Sequence, residues 1–206
     1  MMAVSNDYLK FNFDSFSGLL SKGIGSGDGE RVAKMLLSEF GSVENIMAAR
    51  HADLAEICGE RGASFIKTLA AIYSRRITDR FAFGKKHTRA EIAEYLIGLY
   101  IPCSVETVYM LMKDKSEAVI GCKMLSEGTV NTSELIPRKL LEAAISARAQ
   151  SVILAHNHPF GSPVASEDDV AFTSRISAVA SMAGITLEYH VVVAGLGCDV
   201  IELPRA

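Results

Sequence analysis

The stretch that decides the reading runs Ala155-His156-Asn157-His158-Pro159-Phe160-Gly161-Ser162-Pro163 and continues to Ser166 and Asp169. It grows out of Val152 to Ala155, a short apolar run that predicts a buried strand. Residues i and i+2 of a strand point to the same face, so His156 and His158 present two imidazoles side by side where the strand ends. The Pro/Gly-rich stretch 159–163 turns the chain, and Ser166 begins a helix whose first turn holds Asp169, able to lean back toward the histidines. Two imidazole nitrogens and one carboxylate oxygen fill three of zinc's four tetrahedral positions, and a fourth left open for water is the pattern of a catalytic site. Each piece alone has an ordinary explanation: His-x-His as polar strand-end residues, Ser166-x-x-Asp169 as a capping box. At average residue usage, four identities at this spacing coincide by accident in roughly one chain in several thousand. The joint reading as a metal site is therefore preferred.

Working outward, Phe172, Ile176, Val179 and Ala183 predict a helix ended by Gly184, followed by strands over Leu187 to Val193 and Asp199 to Leu203. Upstream, Pro137 is read as the first residue of a helix whose faces are set by Leu140, Leu141, Ala144, Ile145 and Arg148. Glu106 to Lys113 and Ala118 to Leu125 read as strands joined by a turn over Asp114 to Glu117, and Arg89 to Tyr100 as a helix stopped before Pro102. Everything earlier is helical. Val32, Met35, Leu36 and Phe40 fall at helical spacing before Gly41 and the cap Ser42. Val43 to Ala49 and Asp53 to Ile57 make short helices, and Ser64 caps a longer one with Phe65, Leu69 and Ile72 buried beside Ile66 and Tyr73. Phe81 to Thr88 breaks the period. The expected architecture is a small all-helical domain over 1–84 and, over 85–206, a mixed α/β domain with a sheet flanked by helices.

The chain has 206 residues, 49% hydrophobic and 22% charged, which excludes disordered, collagenous and mucin-like classes. No apolar run approaches the roughly 20 residues of a bilayer helix. Met1 to Phe16 carries Asp7, Lys10 and Asp14 and has no signal-peptide core, so no membrane association and a cytoplasmic location are expected. Cys58, Cys103, Cys122 and Cys198 form no C-x-x-C pair and read as reduced thiols. Residues 1–89 carry a net charge of +3 and residues 90–206 a net of −6, far from the footprint of a dedicated nucleic-acid binder. The Gly-rich run Ile24 to Gly29 lacks the Lys-Ser/Thr of a phosphate-binding loop.

The string H-x-H-x7-S-x2-D, as carried by His156, His158, Ser166 and Asp169, resembles the signature of the JAMM (also called MPN or JAB) metalloproteases. The helical front half, Thr129-Val130-Asn131, Pro137-Arg138 and His156-Asn157-His158-Pro159 make the chain similar to the RadC family from about Leu19 to Leu203. The resemblance implies a cytidine-deaminase-like sheet architecture and zinc held by His156, His158 and Asp169. It implies further that Ser166 helps to stabilise an oxyanion, and that an upstream glutamate on the strand after a helix carries protons. Glu106 fits that place, with Glu127 and Glu134 as rivals; Asp168 is set aside as a ligand because the spacing from Ser166 selects Asp169. His190 lies where relatives carry an Asp-His pair, here preceded by Tyr189, and is read as a core histidine or one supporting a ligand. Further departures are Ile136-Pro137-Arg138-Lys139, where relatives often have His-Pro-Arg-Glu, and Phe160, where a small polar residue is usual. Leu54 to Leu69 resembles a helix-hairpin-helix module, with two residues between Gly59 and Gly62 and Glu60 among them.

Two functions follow as expectations. The leading one is a zinc-dependent hydrolase of a peptide or isopeptide bond, with a peptide or protein as substrate. The other is a nucleic-acid-associated module with a structural or vestigial metal site, binding DNA weakly through Arg61, Lys67, Arg75 and Arg76. A zinc deaminase is set aside, because His-x-Glu and a P-C-x-x-C pair are missing.

Overall fold

The computed structural model describes residues 13–24, 28–128 and 132–203. Its first part is a bundle of α1 (Phe13–Ile24), α2 (Gly29–Phe40), α3 (Val43–Ala48) and α4 (His51–Thr78). Phe16, Leu20, Leu36, Ile46, Leu54 and Ile66 pack together at its centre. Gly41, at φ 80°, ends α2, and the Ser42 hydroxyl accepts from the Asn45 N–H at 3.1 Å to start α3, as the sequence predicts.

Helix α4 departs from the expected two helices. It is interrupted at Gly59 (φ 71°, ψ 168°), a conformation open almost only to glycine, and resumes at once. Ser64 is therefore not a cap; it lies inside the second segment, with its hydroxyl 3.1 Å from His51 Nε2. The fully buried residues of that segment are Ala63, Ile66, Ala70 and Ile77; Phe65 and Tyr73 are half-buried against the same core, whereas Ile72, expected to be buried, is exposed. The alanines and Gly62 let neighbouring chain segments approach closely, and a Cβ on Gly62 would lie 2.7 Å from Cys58 Sγ. Lys67, read as a cation for DNA, is turned inward. Its ammonium donates to the carbonyls of Met47 (2.9 Å), Ala49 (3.0 Å) and Pro102 (3.2 Å), tying the end of α3 to the chain beyond the next helix. Burial lowers its pKa, and three acceptors use all three ammonium protons. Arg75 is likewise paired, its Nε lying 2.7 Å from an Asp79 oxygen.

The second part begins with α5 (Arg89–Tyr100), opened by a capping box between Thr88 and Glu91. It continues through β1 (Thr107–Lys113), β2 (Val119–Glu127), α6 (Thr132–Ser146), β3 (Ser151–Asn157), α7 (Glu167–Met182), β4 (Thr186–Ala194) and β5 (Gly197–Glu202). One five-stranded sheet results, in the order β2-β1-β3-β4-β5, with β3 and β4 parallel and the other pairs antiparallel. Helix α5 covers one face over Leu111, Ile153, Ala155, Tyr189 and Val191. Helices α6 and α7 cover the other over Val108, Met110, Leu154 and Leu187. This is the expected mixed α/β arrangement, three layers deep.

Two helix readings need correction. Pro137 is not the first residue of α6, which already begins at Thr132. Pro137 lies inside it, without the N–H that a helix interior uses, and the fully buried Ile136 and Leu140 on the same helix pack against the sheet. On α7 the face toward the sheet is Thr173, Ile176 and Ala180, a slightly rotated version of the predicted stripe; Ala183 is exposed. Among the described residues no helix is long and apolar enough to cross a membrane.

Candidate metal centre

The centre forms where β3 ends beside the start of α7. His156 and His158 face α7, as the alternation of the strand requires. Ser166 is the N-cap of α7: its hydroxyl accepts from the Asp169 N–H at 3.1 Å, while its own N–H (2.8 Å) and O–H (2.6 Å) donate to Asp169 Oδ2. This capping box aims the Asp169 carboxylate at the strand end. Oδ1 lies 3.0 Å from His156 Nε2 and Oδ2 lies 3.4 Å from His158 Nε2. Ligand atoms of the three residues all fall within 4.8 Å of one another.

The protons can be placed by following hydrogen bonds to groups that only accept. The Thr173 hydroxyl donates to the Asp169 carbonyl (2.6 Å), so it must accept from His190 Nδ1–H, also 2.6 Å away. His190 Nε2 is then bare and accepts from His156 Nδ1–H at 2.8 Å. That leaves His156 Nε2 without a proton. His158 Nδ1 donates to the Ser162 carbonyl at 2.9 Å, so His158 Nε2 is bare in the neutral ring too. The two Nε2 atoms stand 2.9 Å apart beside a carboxylate. With the His158 ring neutral, three electron-pair donors converge with no hydrogen among them, an arrangement that suits a cation.

The electrostatics agree. Burial pushes His156 down to about 4; nearby Asp169 opposes the shift and His158 adds to it. Burial, reinforced by His156, pushes His190 down to about 3. Both rings are therefore neutral in the folded protein, the form in which imidazole binds a metal. Burial pulls the Asp169 carboxyl upward, but the Ser166 hydroxyl and amide, with the two histidines, outweigh it and hold it below its ordinary value.

Beside the three donors lies a recess of about 350 Å³ whose lining includes Glu106, Ser126, His156, Asp169, Phe172 and Arg175. Glu106 arrives there by register. Val108 pairs with His156 across the antiparallel β1–β3 ladder, and Glu106, two residues earlier, shares Val108's face. Glu127 does not: it pairs with Thr107 on the opposite face, where its charge adds to burial in raising the Cys103 thiol. A bulge between the pairs Val108–Ser126 and Tyr109–Met124 puts Leu125 and Ser126 on one face. Lys139 donates to the carbonyl of the bulged Leu125 at 2.9 Å. The Glu134 side chain lies outside the described residues. Asp168 lines the recess but is not part of the donor group. Tyr189 points away from the centre, under Arg89, whose guanidinium carbon sits 4.5 Å from the ring centroid. Phe160 holds a left-handed φ of 61° in the loop after His158.

Residues 87–199 match the family model described as a RadC-like JAB domain. The chain belongs to this family. A UPF0758 protein of Clostridium beijerinckii is 32% identical over 172 residues, 80% of this chain and 75% of that one. A UPF0758 protein of Neisseria gonorrhoeae is 29% identical over 168 residues, 79% of this chain and 73% of that one. A third, from Finegoldia magna, is 36% identical over 119 residues, 58% of this chain, and the match spans about half (52%) of that relative.

Sequence reasoning about this RadC-family chain missed Thr173 and Asn157. Thr173 follows Asp169 by one helical turn, a spacing that could have flagged it; Asn157 is a buried polar residue that follows the apolar run Val152 to Ala155 and His156. Two expectations follow from the histidine chain. Replacing His190 with Ala removes the acceptor that fixes the His156 tautomer, and zinc affinity should fall roughly 10–100-fold. Competition against a chromophoric chelator measures this, and unchanged affinity would mean that the tautomer is set in another way. The second concerns acid. Unfolded histidines titrate near 6.5, whereas folded His190 does so at about 3, so between those values the unfolded chain binds protons that the folded one does not. The metal-free protein should therefore lose stability as pH falls through that window, and less steeply in His190→Ala. Parallel melting curves for the two proteins would show the opposite.

Proposed function

We propose that the protein is a zinc-dependent hydrolase of peptide or isopeptide bonds. The observation that carries this reading is the convergence of three metal-ligating groups, His156 Nε2, His158 Nε2 and the Asp169 carboxylate, beside the recess that contains Glu106. Two nitrogens and one oxygen with further positions open suit a catalytic zinc. Zinc held by these residues would supply a Lewis acid that polarises the scissile carbonyl and brings the pKa of water down toward about 7. Glu106 takes the proton of the attacking water on its carboxylate as the carbon–oxygen bond forms. It then returns that proton to the amide nitrogen as the carbon–nitrogen bond breaks. Ser166 now donates its hydroxyl proton to Asp169, so its expected service to the oxyanion requires the hydroxyl to rotate from Asp169 toward the substrate. Phe172 and Ile136 give the recess apolar wall, and Arg175 gives it a cation at which an acidic substrate group can sit.

The test has two stages. Protein refolded in zinc and freed of excess metal should hold close to one zinc per chain, and a His156→Ala, His158→Ala double variant should hold almost none. The zinc-loaded protein is then incubated with a peptide library and products are read by mass spectrometry. A wild type that comes through refolding without zinc would sink the reading.

A further inference from the structure

Asn157 lies between the two histidines on β3, so strand alternation turns its side chain to the face opposite theirs. It is only 3% exposed, at a position where a central strand ordinarily carries an aliphatic side chain. Its Oδ1 accepts from the Thr107 N–H at 2.8 Å, and its Nδ2 donates to the Val105 carbonyl at 3.2 Å. An N–H can only donate and a carbonyl only accept, so these partners fix which way the amide faces. The residue between the two contacts is Glu106.

We propose that Asn157 is the positioning residue that sets the Glu106 carboxylate in the recess beside the metal centre, an inference that rests on Glu106 as the proton carrier. The β1–β3 ladder ends at the Val108–His156 pair, so the segment before it has no backbone partner on β3. The Asn157 amide replaces that partner, pairing with the residues on either side of Glu106 as another strand would. Gly128 adds a third tie, its N–H donating to the Glu106 carbonyl at 2.8 Å. Three consecutive residues at the end of β3 and just beyond it therefore do two jobs: His156 and His158 face the metal centre, and Asn157 holds the proton carrier from behind. No similar side chain replaces it. Aspartate would set a carboxylate oxygen against the Val105 carbonyl, and leucine would leave the Thr107 N–H buried without an acceptor.

Displacing a reacting group by about 1 Å costs on the order of 10²-fold in rate. Asn157→Ala and the nearly isosteric Asn157→Asp, the latter kept in case the alanine variant does not fold, should retain one zinc per chain. Turnover of a peptide cleaved by the wild type should fall about 10²-fold in kcat with KM unchanged. Combined with Glu106→Gln, Asn157→Ala should cause no further loss, whereas a merely structural role would lower turnover in both backgrounds alike. Crystal structures of the zinc-loaded wild type and variants give a readout without activity: the Glu106 carboxylate should leave the recess in the variants. Undiminished turnover, additive losses or an unmoved carboxylate would each overturn the proposal. A zinc-loaded wild type that cleaves nothing would instead overturn the hydrolase reading, and the position of Glu106 would still decide whether Asn157 sets it.

Discussion

Glu106→Gln should leave zinc content at that of the wild type and lower turnover by roughly 10²–10⁴, the usual contribution of a positioned proton carrier. The side chain is not among the three grouped donors, so metal binding has no reason to change. It lies just before β1 and lines the recess from the face that Val108 shares, so an amide of nearly the same shape should leave the fold intact. What glutamine lacks is the capacity to take a proton at neutral pH and return it. Zinc content and turnover measured on the same preparation separate the outcomes. Loss of zinc would make Glu106 a ligand, and full turnover would move the proton carrier to another residue. Glu127, on the opposite face of the sheet, is a poor candidate for that role.

Asp169→Asn should do the reverse, weakening zinc affinity by more than the roughly 10–100-fold typical of losing a partner behind a ligand. The carboxylate has two tasks: Oδ2 receives the Ser166 N–H and O–H, while Oδ1 faces His156 Nε2. Asparagine has one oxygen. If that oxygen caps α7, an N–H₂ group that cannot bind a cation is turned toward the histidines. If it turns to the histidines, the Ser166 N–H loses its acceptor, the reciprocal half of the capping box, while the Ser166 hydroxyl still accepts from the backbone N–H of residue 169. Even the better choice supplies a neutral oxygen where a charged one stood. Zinc titration together with thermal melting of the metal-free variant shows which compromise the protein makes. Wild-type affinity in Asp169→Asn would remove Asp169 from the donor set.

Much of this centre is local in the chain and could be read from it. His156 and His158 share a face because a strand alternates, and the Ser166–Asp169 capping box aims its carboxylate because a helix N-terminus leaves amides to be satisfied. Helix α5 and its Thr88 cap, the β1–β2 hairpin with its Asp114 turn, and the Gly41–Ser42 junction are of the same kind, each governed by neighbours a few residues away.

What the chain alone left open depends on partners far away in sequence. His190 reaches His156 only because β4 lies parallel to β3, and Thr173 completes that chain only because α7 packs over both. Glu127 stands as a rival to Glu106 in a string; antiparallel pairing sends Glu106 into the recess and Glu127 to the opposite face. Large side chains reveal only part of the α4 and α7 faces: Ile66 and Ile176 are buried, but Ala63, Ala70 and Ala180 complete the faces because small side chains let helices and sheet approach closely. Lys67 counts as a surface cation until three carbonyl oxygens close around it. Local periodicity and capping are short-range forces recorded in the order of residues; proton placement, facing and burial depend on which distant groups end up within about 3 Å, the range of a hydrogen bond, and only tertiary packing decides that.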